Sequence, residues 1–198
     1  LAKFFELNVR DNTNITNIEK NEGIFYLKTD TKTFQAKNVI WAAGEYQSPS
    51  IDVFTGSELC LHTSNVKKYG DLMGDDFLII GGYESGIDAA YHLAKQNKRV
   101  RVFDMNCPWG ESTSDPSVAL STFSFERMRD ECFEKNVELF AETPVKSVTF
   151  KEETFELKTE DGQLFKSNVK PLLASGFEGS HKHVSHLFEQ REDGSFKH

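Results

Sequence analysis

Gly81-Gly82-Tyr83-Glu84-Ser85-Gly86, followed later by Asp104, are the residues whose types and spacing offer chemistry. Glycines at the first and last places of such a turn remove Cβ atoms that would block a close approach. If the turn opens a helix, the unpaired N–H groups and partial positive charge there suit a diphosphate. Gly81 is expected to make the tight turn, and Gly86 to let the helix pack closely on the preceding strand. Asp104 lies a little over twenty positions on, where an acidic residue accepts hydrogen bonds from a ribose diol. The G-x-G-x-x-G fingerprint has a middle glycine, and Tyr83 stands in its place. That ring must point away or hold the phosphates further out.

The elements that position these residues are legible on either side. Phe77-Leu78-Ile79-Ile80 is wholly apolar, as in a strand buried on both faces of a parallel sheet. Ile87, Ala90, Tyr91 and Ala94 recur at helical spacing, with Asn97 as the stop. Val100, Val102 and Phe103 form a second apolar run that ends at Asp104. Strand, glycine turn, helix, strand and acid in this order define a dinucleotide-binding unit; the bland alternative is a doubly wound domain that binds nothing or a mononucleotide. Downstream, Phe125, Met128, Cys132 and Phe133 mark one amphipathic helix closing near Asn136, and Val137 to Phe140 reads as a third parallel strand.

Composition narrows the class. The 198 residues carry 38% hydrophobic and 27% charged side chains, within the range of globular domains. A net charge of -8 without a basic cluster argues against nucleic acid as a partner. No apolar run approaches membrane-spanning length, and the opening residues contain no signal-peptide core, so no membrane partner is expected. Cys60, Cys107 and Cys132 are odd in number and widely spaced, which fits reduced thiols in the cytoplasm. The absence of C-x-x-C argues against dithiol chemistry by this chain. His181, His183 and His186 lie in a polar tail from Glu178 onward, without a metal-ligand pattern. They read as solvated side chains, and no metal site is expected. The chain has no initiating Met, as expected of a fragment or a processed protein.

A repeat runs through the chain. Ile15 to Glu19, Ile24 to Thr29 and Thr33 to Ala36 read as a three-stranded meander, then Val39 to Gly44 as a buried strand ending in small residues. Val145 to Phe150, Thr154 to Thr159 and Gln163 to Lys166 repeat the meander, and Pro171 to Gly176 repeats the strand. Leu27-Lys28-Thr29-Asp30 matches Leu157-Lys158-Thr159-Glu160, and Gly44 matches Gly176. Two such blocks flanking one glycine-turn helix imply two related nucleotide domains, one nested in the other. The expected fold is α/β: a Rossmann-like parallel sheet with an inserted three-stranded antiparallel meander, plus the remnant of a second nucleotide domain, which the resemblance described next implies is FAD-type. Residues 1–50 are expected as that remnant, 51–75 as an interdomain crossover, 76–171 as the Rossmann domain, NAD(P)-binding by the same resemblance, and 172–198 as return strand and polar tail.

Val39 to Gly44 and Leu172 to Gly176, bracketing the glycine turn, resemble the two-dinucleotide-domain flavoproteins. Within them, a Gly-Gly-x-Glu-Ser-Gly turn followed by Asp88-Ala89-Ala90-Tyr91, and the later Asp115-Pro116-Ser117, are similar to the bacterial flavin-containing monooxygenase branch. The resemblance implies FAD on a first domain and NAD or NADP on a second one inserted into it, with hydride passing from nicotinamide to flavin. It implies that Ala42-Ala43-Gly44 and Ala174-Ser175-Gly176 carry the chain between the domains. It gives Gly81, Gly82, Glu84, Ser85 and Gly86 the pyrophosphate, and Asp104 the ribose. Phe54, Gly56 and His62 approximate the F-x-G-x-x-x-H of monooxygenases, with His62 two residues late. His62 is therefore either a cofactor-orienting residue or a hydrogen-bonded structural histidine at a domain crossing. No FAD-type turn precedes Val39, so this chain alone is expected to supply the pyridine-nucleotide module, inactive by itself. The remaining FAD-domain segments of the parent would be its partner and a small molecule its substrate. Catalytic residues, substrate and oligomeric state are not given by the sequence. Two other readings stand beside this one: a flavin-dependent reductase of a low-molecular-weight disulfide, and a non-catalytic nucleotide-sensing domain. The choice between NAD and NADP stays open, because Asp104 repels a 2′-phosphate while Arg99 or Arg101 would pair with it.

Overall fold

Between Asn17 and Ala36 short runs rich in β-branched and aromatic residues are punctuated by Glu22-Gly23 and Asp30-Thr31, and the chain there pairs into an antiparallel sheet of β1 (Asn17–Asn21), β2 (Ile24–Lys28) and β3 (Thr33–Ala36). Glu22 and Gly23 turn the first hairpin with φ of 46° and 80°, the left-handed pair that a two-residue loop requires. Ile18, Leu27 and Phe34 stand side by side across the three strands. The computed structural model describes residues 3–106, 108–110, 113, 115, 118–189 and 191–192. Cys107, Pro116 and Ser117 of the sequence reading lie outside the described residues. The chain divides into two compact units, Leu1–Glu45 with Gly179–His198, and Tyr46–Glu178.

The first unit departs from expectation twice. Residues 39–44 form no strand, and Ile40 is 91% exposed. An apolar run becomes a strand only when another strand takes its backbone groups, and β1–β3 pair among themselves. The tail histidines His183 and His186 are exposed, as expected of solvated side chains, but the segment that carries them is folded. Ser180–Leu187 is a 3₁₀ helix that buries Val184, and a His186 ring nitrogen lies 2.9 Å from the Ile18 carbonyl. Trp41 donates its indole N–H to Ser180 Oγ at 3.0 Å. Val184 and these polar contacts help to hold the segment.

In the second unit, β4 (Leu61–His62), β5 (Asp76–Ile80), β6 (Arg99–Phe103), β7 (Val137–Phe140) and a late strand form a parallel sheet. Helix α1 (Glu84–Ala94) crosses from β5 to β6. Helices α2 (Thr122–Met128) and α3 (Glu131–Asn136) precede β7. A second antiparallel meander, β8 (Val145–Lys151), β9 (Thr154–Thr159) and β10 (Leu164–Ser167), leads to β11 (Leu172–Leu173), which enters the parallel sheet between β4 and β5. Residues 51–75, read as a crossover, thus contribute β4 to this sheet, where Leu61 and His62 pair with Leu172 and Leu173. The single helix expected over Phe125 to Asn136 is two, because the Asp130 side chain accepts the Cys132 N–H and caps a fresh start.

Helix α1 buries Ile87, Ala89, Ala90, Leu93 and Ala94 against Phe77, Ile79, Val100 and Val102 on one face of the sheet. It ends where Asn97 turns left-handed at φ 57°. On the other face, Val148 and Leu157 of the meander close over Leu78, Ile80, Phe103 and Leu173. Each fully buried aliphatic or aromatic side chain contributes roughly 1.5–3 kcal/mol of transfer free energy. The sheet is therefore fixed from both sides, and its carboxyl edge is a rigid rim. Among the described residues no helix is long and apolar enough to cross a membrane.

Candidate functional site

The rim carries the glycine turn. Gly81 leaves β5 at φ 98°, and its N–H still reaches Phe103 O at 2.8 Å. A Cβ on Gly81 would lie 2.4 Å from Ala174 O, and one on Gly86 only 1.9 Å from Gly81 O. Both positions are closed to any side chain, so α1 starts pressed onto the turn and onto the small residues after β11. Tyr83 is the helix N-cap, in extended conformation and without a side-chain cap. The Ile87 N–H takes Tyr83 O at 2.9 Å, while among the described residues no acceptor receives the N–H groups of Glu84, Ser85 and Gly86. These three donors and the helix dipole form the anion-attracting end of the element.

The remaining turn residues do different work from that expected. Gly82 gives its N–H to Asp104 Oδ2 at 2.6 Å and receives the Trp109 indole N–H on its carbonyl at 2.8 Å. A Cβ there would strike Trp109 Cζ2 at 2.4 Å. Gly82 is thus a glycine because Trp109 lies on it, and its N–H is committed inside the protein. Tyr83 donates its hydroxyl to Ala119 O at 2.7 Å, which draws the ring toward the segment before α2, although the residue still lines the cleft. The Glu84 carboxylate accepts from Ser121 N–H, from Ser121 Oγ at 3.1 Å and from Ser124 Oγ at 2.6 Å. Burial raises its pKa, but hydrogen bonds from Ser121 and Ser124 and the Arg127 charge outweigh that and hold it below the ordinary value. Glu84 is a strut between the starts of α1 and α2, with its backbone N–H facing the other way along the helix axis.

Asp104 ends β6. Its Oδ1 accepts the Asn106 N–H at 2.8 Å, and its backbone bonds Phe140 O at 3.1 Å and Thr143 N at 2.8 Å. His62 is 3% exposed; the Ser64 N–H reaches Nδ1 at 3.2 Å, and Nε2 lies 3.0 Å from Gly176 O. With Nδ1 accepting, Nε2 carries the proton and donates to that carbonyl. Burial lowers the His62 pKa, against the opposing pull of the Gly176 bond. The ring sits behind Gly176, where φ is 78°, and fixes the course of the chain after β11.

A cleft of about 470 Å³ opens over this rim, lined by Gly81, Tyr83, Glu84, Ser85, Asp104, Ser175 and Gly176 among the expected residues. Gly82, Gly86 and His62 lie behind its surface, and Ala43 and Gly44 belong to the first unit. Phe54, which the sequence singled out only within the F-x-G-x-x-x-H pattern, and Met105, Pro144 and Val145, which the sequence reading missed as site residues, give the cleft apolar walls. Phe54 is held there because Gly56 packs its Cα on the β8 backbone, where a Cβ would meet Val148 O at 1.9 Å. Both described thiols are held toward the protonated form. Burial pushes Cys60 up to about 12, and burial together with Asp130 raises Cys132.

The arrangement fits a nicotinamide dinucleotide: a turn whose first and last residues have no room for a Cβ, donors at a helix start, and a carboxylate at the end of the next strand. No second strand–glycine turn–helix stands among the described residues of the first unit, so nothing there fits a flavin diphosphate in the same way. Fold and cleft define a protein of the dinucleotide-binding α/β class. The family model for pyridine nucleotide-disulphide oxidoreductases matches residues 1–198, and the chain belongs to that family. It is 29% identical over 96 residues to the uncharacterized oxidoreductase CzcO of Bacillus velezensis, covering 46% of this chain and 28% of that protein. The bacillithiol disulfide reductase Bdr (YpdA) of Bacillus cereus superposes with TM-score 0.77 at 20% identity, over 100% of this chain and 60% of that one. L-lysine 6-monooxygenase of Pseudomonas syringae superposes with TM-score 0.72 at 12% identity, over 98% of this chain and 60% of that one. The chain therefore spans under a third of the length of the curated relative it matches and about three-fifths of these solved chains.

Proposed function

We propose that this chain is the NAD(P)H-binding portion of an FAD-dependent oxidoreductase of monooxygenase-like type. The observation that carries the reading is the start of α1, where Glu84 and Ser85 line the cleft with their N–H groups unused by the helix, beside a turn that has no room for a Cβ at Gly81 or Gly86. In this reading Ser85 and Gly86 hold the diphosphate through their backbone, Asp104 receives the adenine ribose, and the apolar walls at Phe54 and Val145 keep water from the nicotinamide. A bound reduced nicotinamide supplies a hydride to a flavin. Residues 1–50 belong to the flavin side in this reading, and a cytoplasmic setting accords with thiols that stay reduced.

A second reading is reduction of a low-molecular-weight disulfide, the activity named for the Bacillus cereus neighbour. With Cys60 buried and raised to about 12, the disulfide chemistry would then use groups other than that thiol. A thermal-unfolding titration with NADH, NADPH and FAD tests the shared core of both readings, because a ligand of the folded state raises the midpoint. We expect a rise with a nicotinamide nucleotide; no rise with either one refutes the proposal. Oxygen uptake against disulfide consumption by the parent enzyme then separates the two chemistries.

A further inference from the structure

We propose that the cleft selects NADH over NADPH, with Asp104 as the specificity-determining residue, pinned so that it cannot yield. The inference rests on the reading of the cleft as a pyridine-nucleotide site. NADPH differs by a phosphate on the adenine ribose, and in a strand–turn–helix unit that ribose lies beside the residue ending the second strand. Accepting the phosphate takes an Arg or Lys within reach.

Among the described residues none lines the cleft. From Phe103 through Glu126 the sequence contains no Lys, Arg or His, and its charged residues, Asp104, Glu111, Asp115 and Glu126, are all acidic. The stretch Ala141 to Val145, whose Thr143, Pro144 and Val145 line the cleft, contributes Glu142 and no cation. The charged side chains lining the cleft are Glu84 and Asp104, both anionic.

The two arginines that the sequence left as candidates are spent elsewhere. Arg101 is 7% exposed and bonds Asp76 Oδ2 at 2.6 Å and Lys166 O at 2.9 Å. Arg99 lies 3.8 Å from Glu138 and stands opposite Asp76, at the end of β6 away from Asp104. Further on, Arg127 is paired with Asp88 and lies over the Phe123 ring at 4.2 Å.

Asp104 itself has no room to retreat. One carboxylate oxygen holds the Gly82 N–H and the other the Asn106 N–H. Swinging away from a phosphate would release both backbone donors and unlock the glycine turn. The residue that rejects the phosphate is the one that shapes the turn.

Calorimetric titration of the purified protein with NADH and with NADPH tests this. NADH is expected to bind tighter, by on the order of tenfold to a hundredfold at low salt. Asn106→Arg keeps the backbone N–H that Asp104 uses and adds the missing cation; it is expected to narrow the ratio about tenfold, with added salt restoring it. Asp104→Asn, which removes the charge and keeps an acceptor for Gly82, is expected to narrow it as well. Equal affinities, or tighter NADPH, in the unsubstituted protein overturn the inference while leaving the nucleotide site standing. A ratio that neither substitution moves overturns Asp104 as the determinant. Binding of neither nucleotide overturns the site assignment, and the inference falls with it.

Discussion

The two meanders share one local pattern and differ in what lies beneath them. In the first, Ile18, Leu27 and Phe34 face one another across β1, β2 and β3; in the second, Val148, Leu157 and Phe165 do so across β8, β9 and β10. The hairpin turns correspond too, Glu22-Gly23 with Glu152-Glu153, and all four residues have positive φ. Ile18 and Val148 are both buried, at 5% and 1% exposed, yet Leu157 is 0% exposed whereas its counterpart Leu27 is half-buried. The second meander rests on the parallel sheet, where Phe165 joins Phe103 and Phe140 with ring centroids 4.7 and 4.9 Å away. Pairing and register are set by residues within a few positions of each other; energetic weight is set by the layer that receives them.

The sharpest way to break this comparison is to truncate the matched leucines. Leu157→Ala is expected to cost about 3–4 kcal/mol, and Leu27→Ala about 1 kcal/mol, in urea unfolding followed by circular dichroism. Equal losses would mean that the first meander is as deeply supported as the second.

Glu84→Ala comes next, at about 1–3 kcal/mol, because the buried Ser124 hydroxyl and the Ser121 N–H lose their shared acceptor. Hydrogen exchange should quicken in α2 while the first meander stays unchanged; quickening spread evenly over both units would contradict the strut.

Exchanging turn residues sharpens the comparison further. Glu153→Gly places a glycine at φ 60°, as Gly23 already provides at φ 80°, and is expected to stabilise by about 0.5–1 kcal/mol. Gly23→Glu is expected to destabilise by about 1 kcal/mol. Thermal midpoints that move together in the same direction would show that the two turns are not equivalent.

The smallest expected effect is a pH slope peculiar to the second unit. The folded state holds His62 with a pKa below its ordinary 6.5, so it favours the neutral ring. Stability is then full above that value and falls as pH drops through the lowered one, since unfolded chains take up the proton first. His62→Gln should flatten the part of the slope just below neutrality. An unchanged slope would assign it to other groups.

How much was legible follows the same division. The glycine turn could be read because strand, turn, helix and acid lie within one short stretch, each stating its own backbone demand. The paired meanders could be read because hairpins are local. The Trp109 contact on Gly82, the Ser121 and Ser124 bonds to Glu84 and the Tyr83 bond to Ala119 join residues far apart along the chain, and no periodicity announces them. Val39 to Gly44 was misread for the complementary reason. Its composition suits a strand, but composition says nothing about whether a neighbour will take its backbone groups.

The chain has two tryptophans, Trp41 in one compact unit and Trp109 in the other, the latter giving its indole N–H to the glycine turn. Reduced nicotinamide absorbs where indoles emit. Occupancy of the cleft should therefore announce itself as dimmed light from a native chromophore, with no label attached anywhere.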